Sequence, residues 1–246
     1  MSARLHLTRR VLLCPKAGSS LWEYEDAARG DNTLGRFAIA DGATESSYSG
    51  EWARHLTSLF VTDPPKTSRD RHIGPWIRKA QGTFRASPLG DTAPWYAIEK
   101  ARLGSHATFL GLKINLDSRF WVAWAVGDSC LFRCDPLASS LSLSFPIGHP
   151  DDFNSSPTLV GSKPSRNTHS LSKIWRRWGR AQRGTAFVMA SDALAQWILS
   201  DVRDDGREWL TLLTIEEDKF PQFVENLRTN SSLKNDDTTA MIVQLA

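Results

Sequence analysis

Cysteine is scarce in this chain: 246 residues hold Cys14, Cys130 and Cys134, an odd number with no Cys-x-x-Cys spacing. That argues against a disulfide framework or a cysteine-based zinc site and predicts reduced, buried thiols. No His-x-x-x-His pair and no Cys/His cluster is present. Long apolar runs are missing as well. The run from Val11 to Cys14, behind an Arg-bearing start, is too short for a signal-peptide core. Nothing approaches the roughly twenty apolar residues of a membrane span, so a cytoplasmic location is expected. Charge of one sign is not in excess either: a net +3 with a pI near 8.8 does not by itself demand a nucleic acid or a membrane. No linker interrupts the chain and no internal repeat is found, so one domain over 1–246 is expected.

What is abundant is core-forming material: 41% hydrophobic residues, with ten Trp and eleven Phe. Arg36 to Ala40 reads as a short buried strand that stops at Asp41-Gly42. Trp52, Leu56, Leu59 and Phe60 recur at helical spacing between Ser49 and Val61. Residues 62–75, rich in Pro, Thr and Ser, read as loop. Trp76 to Phe84 and Trp95 to Leu103 are candidate helices. Thr108 to Leu116 and Phe120 to Phe132 are β-branched and aromatic, a hairpin around Asp117-Ser118-Arg119. Ser140 to Phe145 is a further strand. The segment 148–183, first Pro/Ser/Asn/Gly-rich and then basic and aromatic, reads as an exposed insertion or flap. Thr185 to Ala190 is a strand ending in Ser191-Asp192, and Leu194 to Leu199 starts a helix. Glu216 to Leu227 suits an amphipathic helix whose start is blurred by Pro221. Thr239 to Leu245 is the last strand. Runs of strands and of helices without regular βαβ alternation predict an α+β layered architecture with antiparallel sheet.

Three strand borders carry acidic residues: Asp41, Asp192 and the pair Asp236-Asp237. Any one of them could simply cap a helix or a turn. Brought together, like charges at close range stay ionised only with a compensating cation. Hard Mg²⁺ or Mn²⁺ suits such oxygen donors better than Zn²⁺. Metal-assisted hydrolysis is the chemistry this suggests.

In order along the chain, these pieces resemble the metal-dependent protein Ser/Thr phosphatases of type 2C, in their bacterial single-domain form. Glu25-Asp26-Ala27 resembles the acidic opening motif, and Phe37 to Gly42 the strand leading into the first metal-binding Asp-Gly. Ala125-Val126-Gly127-Asp128-Ser129 is similar to the Val-Gly-Asp-Ser element, Met189 to Leu194 to the Ser-Asp-Gly-Leu motif, and Asp236-Asp237-Thr238-Thr239 to the terminal Asp-Asn-x-Thr. The resemblance implies an α-β-β-α sandwich of two antiparallel sheets flanked by helices, with the metal site at one end between the sheets. It implies two Mn²⁺ or Mg²⁺ per chain and a third, weaker one in some bacterial relatives. Asp41 would bridge two metals, the Gly42 carbonyl would bind one, Asp192 and Asp236 would complete the shell, and Asp26 would act through coordinated water. Asp128 would help Asp192 hold the third metal, or else cap a hairpin. Asp41, Asp192 and Asp236 are thus the candidate catalytic residues, and Asp26, Asp41, Gly42, Asp128, Asp192 and Asp236 the candidate metal ligands. The implied substrate is a phosphorylated protein and the implied partner a cognate Ser/Thr kinase, with a monomeric chain and no nucleic acid or membrane.

The sequence also departs from the family pattern. An Arg shortly before the opening acidic pair is replaced by Ser19-Ser20-Leu21-Trp22, leaving Lys16, Arg9 or Arg10 as upstream cations. Loss of a bidentate guanidinium weakens phosphate binding. Ala43-Thr44-Glu45 stands where Gly-Gly is usual, Ala193 replaces a Gly, and Asp237 replaces an Asn, adding charge near the metals. Gly104-Ser105-His106-Ala107-Thr108 is a loose match to Gly-Ser-Thr-Ala, with His106 read as structural. The basic cluster Arg176, Arg177, Arg180 and Arg183 would either steer acidic substrates or form a solvated helix face with Trp175 and Trp178 packed inward. A binding module that has lost catalysis is the principal rival function. A nucleic-acid-binding module built on the Arg/Trp segment is a third, with steeply salt-dependent binding as its signature.

Overall fold

The computed structural model describes residues 5–66, 73–86, 101–135, 140–166 and 173–246. Its frame is two five-stranded antiparallel sheets. The first contains β1 (Leu7–Cys14), β7 (Cys130–Asp135), β8 (Ser140–Phe145), β11 (Ala186–Ala190) and β12 (Thr238–Leu245), in the order β1-β12-β11-β7-β8. The second contains β2 (Ala27–Asp31), β3 (Arg36–Ala40), β5 (Phe109–Ile114), β6 (Phe120–Val126) and β10 (Trp175–Arg180), in the order β10-β6-β5-β3-β2. A short ladder joins β4 (His106–Ala107) to β9 (Val160–Gly161).

Period-2 alternation divides the side chains into three apolar layers. Phe37 and Ile39 of β3, Trp121 and Ala123 of β6, Phe187 and Met189 of β11, and Met241 and Val243 of β12 meet between the sheets. Their neighbours face outward. Ala38, Val122 and Trp124 are covered by α1 (Ser49–Thr62) and α2 (Gly74–Thr83). Val188, Ala190 and Ile242 are covered by α3 (Asp192–Arg203) and α4 (Phe220–Thr229). The architecture is the α-β-β-α sandwich. It explains why these strands read as continuous apolar runs: both faces are buried. Cys14, Cys130 and Cys134 are free thiols in this interior, and burial pushes Cys134 up to about 12.

Several expectations change. Phe120 to Phe132 is not one strand: the chain breaks at Gly127-Asp128-Ser129, and β6 and β7 lie in different sheets. Gly127 makes the crossing with φ +97°, and a Cβ there would lie 2.8 Å from the Thr108 side chain and 2.9 Å from the Thr158 carbonyl oxygen. Trp175–Arg180 is an edge strand and not a helix face, with Trp175 55% and Trp178 57% exposed rather than packed inward. The loop read over 62–75 overlaps helix at both ends, since α1 reaches Thr62 and α2 begins at Gly74, and its middle, 67–72, lies outside the described residues. Most of the helix expected over 95–103 lies outside the described residues. Pro221 sits in the first turn of α4, where its missing N–H breaks no helical bond, so the helix starts at Phe220. Strands β1 and β2 were not anticipated.

The approach of α1 to its sheet depends on Gly111. A Cβ at that position would fall 2.6 Å from the Phe60 ring. Gly111→Ala is expected to lower stability by about 1–3 kcal/mol through overpacking, and Phe60→Leu in the same chain to recover part of that loss. Urea denaturation of the two single variants and the double variant measures the coupling; additive losses would contradict it.

Candidate metal centre

One end of the sandwich gathers the acidic residues. Strand β3 ends at Ala40 and delivers Asp41, whose N–H donates to Thr108 Oγ1 at 3.1 Å while its carbonyl accepts from the Thr108 N–H at 2.8 Å. Thr108 Oγ1 also meets Ser129 Oγ at 2.7 Å, tying this corner to the Gly127-Asp128 crossing. Strand β11 delivers Asp192 as the first residue of α3, where the helix N-terminus favours an anion. Ser191 links that strand end to β12: its Oγ accepts from the Thr239 N–H at 3.0 Å. Asp236 lies just before β12.

Asp41, Gly42, Asp128, Asp192 and Asp236 all border one cavity of about 690 Å³. Asp26 is buried behind them, close enough for its charge to act on Asp41, and accepts from Thr239 Oγ1 at 2.6 Å. Gly42 is set where a side chain has no room, since a Cβ would lie 2.8 Å from both the Glu25 carbonyl oxygen and the Ser49 carbonyl carbon. All six sequence-predicted residues therefore occupy one region.

Their electrostatics are those of crowded anions. Burial, followed by the charges of Asp26, Asp192, Asp128 and Asp236, raises Asp41 well above the usual carboxylate range. Burial raises Asp26 to about 7 and Asp128 to about 7, with Asp237 and Asp192 respectively adding repulsion. Asp192 is raised by burial and by Asp236, against the opposing pull of Lys234. Lys234 Nζ lies 3.3 Å from Asp236 and 3.7 Å from Asp192.

Among the described residues no three Asp, Glu, His or Cys side chains already stand as a closed ligand set. The fit to a hard cation rests on the donors themselves. Asp26 Oδ1, Asp128 Oδ1 and Asp192 Oδ1 are buried with no hydrogen-bond partner, and a buried carboxylate oxygen left unpaired is costly unless a cation or proton meets it. Oxygen donors predominate on the wall, with His106 the one imidazole among the described residues there. These residues suit Mg²⁺ or Mn²⁺.

No protein-family model matches the sequence, and no curated protein matches it. Solved structures do match. The photosystem II phosphatase PBCP superposes with a TM-score of 0.64 at 16% identity, covering 98% of this chain and 99% of that one. The catalytic domain of the serine/threonine protein phosphatase PstP, in complex with two manganese ions, gives 0.59 at 12% identity over 98% and 99%. Serine/threonine phosphatase Stp1 from Staphylococcus aureus gives 0.62 at 14% identity over 98% and 95%. The fold is that of the type 2C phosphatases.

Within this type 2C fold the departures acquire structural meaning. Asp237 does not stand among the cavity residues: its carboxylate accepts from the Lys16 N–H at 2.9 Å and the Glu25 N–H at 2.8 Å. The extra acid is therefore an anchor for the Lys16–Glu25 loop. Glu25 itself accepts from the hydroxyl of Ser49 at the start of α1. Neither upstream arginine reaches the cavity, because Arg9 donates to the Gly30 carbonyl and Arg10 to the carbonyls of Leu212, Leu213 and Ile215. Among the described residues, the cavity wall carries no Arg or Lys. Lys234 was overlooked in the sequence, although it stands two residues before Asp236.

A carboxyl raised on folding holds a proton that the unfolded chain has released, so stability falls as pH rises toward the folded value. With Asp26 and Asp128 both raised from the usual carboxylate range to about 7, the EDTA-treated protein should lose thermal stability between about pH 4 and about pH 7. Mn²⁺ should reverse the trend, and Asp128→Asn should flatten it. Differential scanning fluorimetry across pH reads this; a midpoint that climbs steadily with pH in EDTA and ignores Mn²⁺ would be inconsistent with crowded, metal-seeking carboxylates.

Proposed function

We propose that this chain is a metal-dependent protein Ser/Thr phosphatase, hydrolysing phosphoserine and phosphothreonine in phosphorylated proteins with a metal-activated water. The observation that carries the reading is the convergence of Asp41, Asp128, Asp192 and Asp236 on one cavity with buried, unpartnered carboxylate oxygens beside it. In this reading Asp41, Asp192, Asp236 and the Gly42 carbonyl would hold two divalent cations, Asp26 would act through water, and Asp128 with Asp192 would offer a third, weaker position. Mg²⁺ or Mn²⁺ held there would supply a water of lowered pKa and positive charge to offset that developing on the phosphoryl group. The chain's own part is to hold its donors rigidly. Thr108, Ser129, Ser191 and Thr239 fix the strand ends that carry the aspartates, as preorganisation requires.

Residues 148–166 are assigned as a flap of the same domain, supported by Ser155, Ser156, Pro157 and Leu159 at the cavity wall. Residues 175–180 are sheet. No helix among the described residues is long and apolar enough to cross a membrane, and the chain is read as a cytoplasmic monomer in phosphoprotein signalling, paired with a Ser/Thr kinase.

The second reading, a phosphoprotein-binding module without turnover, is favoured by one observation: among the described residues the cavity wall carries no Arg, and the nearby Lys234 is paired with Asp192 and Asp236. The two separate on purified protein assayed with a phosphothreonine peptide and p-nitrophenyl phosphate in EDTA, Mg²⁺ or Mn²⁺. Turnover should require metal, and Asp41→Asn and Asp192→Asn should each reduce it more than about 100-fold. Metal binding in folded protein without turnover would favour the module.

A further inference from the structure

Strand β10 stands apart from the rest of the surface. It is the outer strand of its sheet among the described residues, paired with β6 through Trp175↔Ala125, Arg177↔Ala123 and Gly179↔Trp121 on one face and Arg176↔Trp124, Trp178↔Val122 and Arg180↔Phe120 on the other. From Lys173 to Arg183 the chain holds five cationic residues and no carboxylate. Both tryptophans remain more than half exposed, and the Arg176 guanidinium lies 5.2 Å from the Trp178 ring centroid.

Natural edge strands are commonly protected by isolated charges, prolines or bulges. Exposed tryptophans do the opposite: they add large, rigid apolar area where a second chain could settle. Register also gives the strand a direction. Trp175 pairs with Ala125, and β6 then runs through Val126 and Gly127 to Asp128 at the cavity, so the start of β10 lies at the site end of the sheet.

We propose that β10 is the docking edge for an acidic, extended segment of the phosphoprotein substrate. The segment adds as a further strand beside β10, its carboxylates meeting Arg177, Arg180 and Arg183 and its apolar side chains resting on Trp175 and Trp178. Main-chain hydrogen bonds along an open edge give affinity without sequence dependence, and the arginines select for acid. The alignment of β10 toward the cavity delivers a phosphoresidue flanking the acidic segment to the aspartates. It also places cationic recognition of the substrate on the sheet edge, outside a cavity whose wall lacks Arg among the described residues and whose neighbouring Lys234 is paired with Asp192 and Asp236. This inference rests on the phosphatase reading for the identity of the occupant, while the docking itself is measurable without turnover.

The test uses three fluorescein-labelled peptides built around one phosphorylatable threonine: one with a Glu-Glu-Val-Val tract that places carboxylates on both faces of the added strand, one with Gln in place of Glu, and one that keeps Glu but is N-methylated at successive backbone nitrogens, so that the inward-facing N–H groups are blocked in either register. Binding of the unphosphorylated peptides to the Mn²⁺-treated full chain is read by fluorescence anisotropy. The Glu peptide should bind about tenfold more tightly than either of the others. Trp178→Ala and the double change Arg177→Gln, Arg180→Gln should each remove that advantage. With the phosphorylated peptides the same variants should raise KM and leave kcat unchanged, and their hydrolysis of p-nitrophenyl phosphate should match wild type. Equal binding of all three peptides, or an N-methylated peptide that binds as well as its parent, overturns strand addition. Single-stranded DNA that displaces the Glu peptide at equal concentration overturns it in favour of a nucleic-acid surface. Tight, Trp178-dependent binding of the Glu peptide with no turnover of any phosphorylated compound upholds the docking edge and removes the phosphatase reading instead.

Discussion

Repulsion among buried carboxylates is the constraint around which this molecule is organised. Asp26, Asp41, Asp128 and Asp192 are each raised above the usual carboxylate range, burial being the largest cause and neighbouring acids adding to it. A fold that only needed stability would not collect them, because each desolvated anion opposes folding. The sandwich brings together two sheets whose strand ends meet at one place, and the hydrophobic layers between and outside the sheets supply the stability that the site subtracts. Local conflict of this kind, surrounded by consistent packing, is characteristic of functional sites.

Holding the carboxylates in place falls to uncharged groups and backbone. Thr108 bonds both the N–H and, through its own N–H, the carbonyl of Asp41. Ser191 bridges the ends of β11 and β12, and Thr239 donates to Asp26. Arg228, almost fully buried, donates to the Asp236 carbonyl at 2.7 Å and the Pro15 carbonyl at 2.8 Å. Its charge thus fixes the backbone that carries Asp236 without neutralising the carboxylate itself. The site is supported from strands of both sheets and from both ends of the sequence, so it exists only once the two sheets have come together.

What the sequence reveals follows from how local each signal is. Asp41 and Asp192 were legible because a fully buried strand reads as an apolar run and its abrupt end at an acid is visible within a few residues. The last strand was legible for the same reason, and α1 to α4 were each legible, with shifted ends, from apolar residues at helical spacing. Strand β1 was not, since Arg9 and Arg10 interrupt its apolar pattern, and only the fold shows their guanidinium groups reaching backbone carbonyls. Strand β2, with Arg29, Gly30 and Asp31 at an edge, has little apolar signal at all. The change of sheet between β6 and β7 was hidden inside one hydrophobic stretch, because Gly127 alone marks it and a lone glycine does not say which way the chain turns. The Trp175–Arg180 strand misled for another reason: inward packing is the ordinary fate of tryptophan, and pattern alone does not tell an edge strand from a helix face. Lys234 required knowledge of which acids converge.

The two hydrogen bonds from Lys16 and Glu25 to the single carboxylate of Asp237 have a further implication. Both feet of the intervening loop are clamped at one point, while its crown carries Leu21 and Trp22, 71% and 98% exposed. Ala17 and Tyr24, just inside the feet, also bond to Asn235 and to Thr238 and Thr239, so only the crown around Leu21 and Trp22 stands clear of the strands. Lengthening it adds only closure entropy, about 0.6 kcal/mol for each doubling. An insertion at the crown would therefore lengthen the loop while the aspartates beneath it kept their positions.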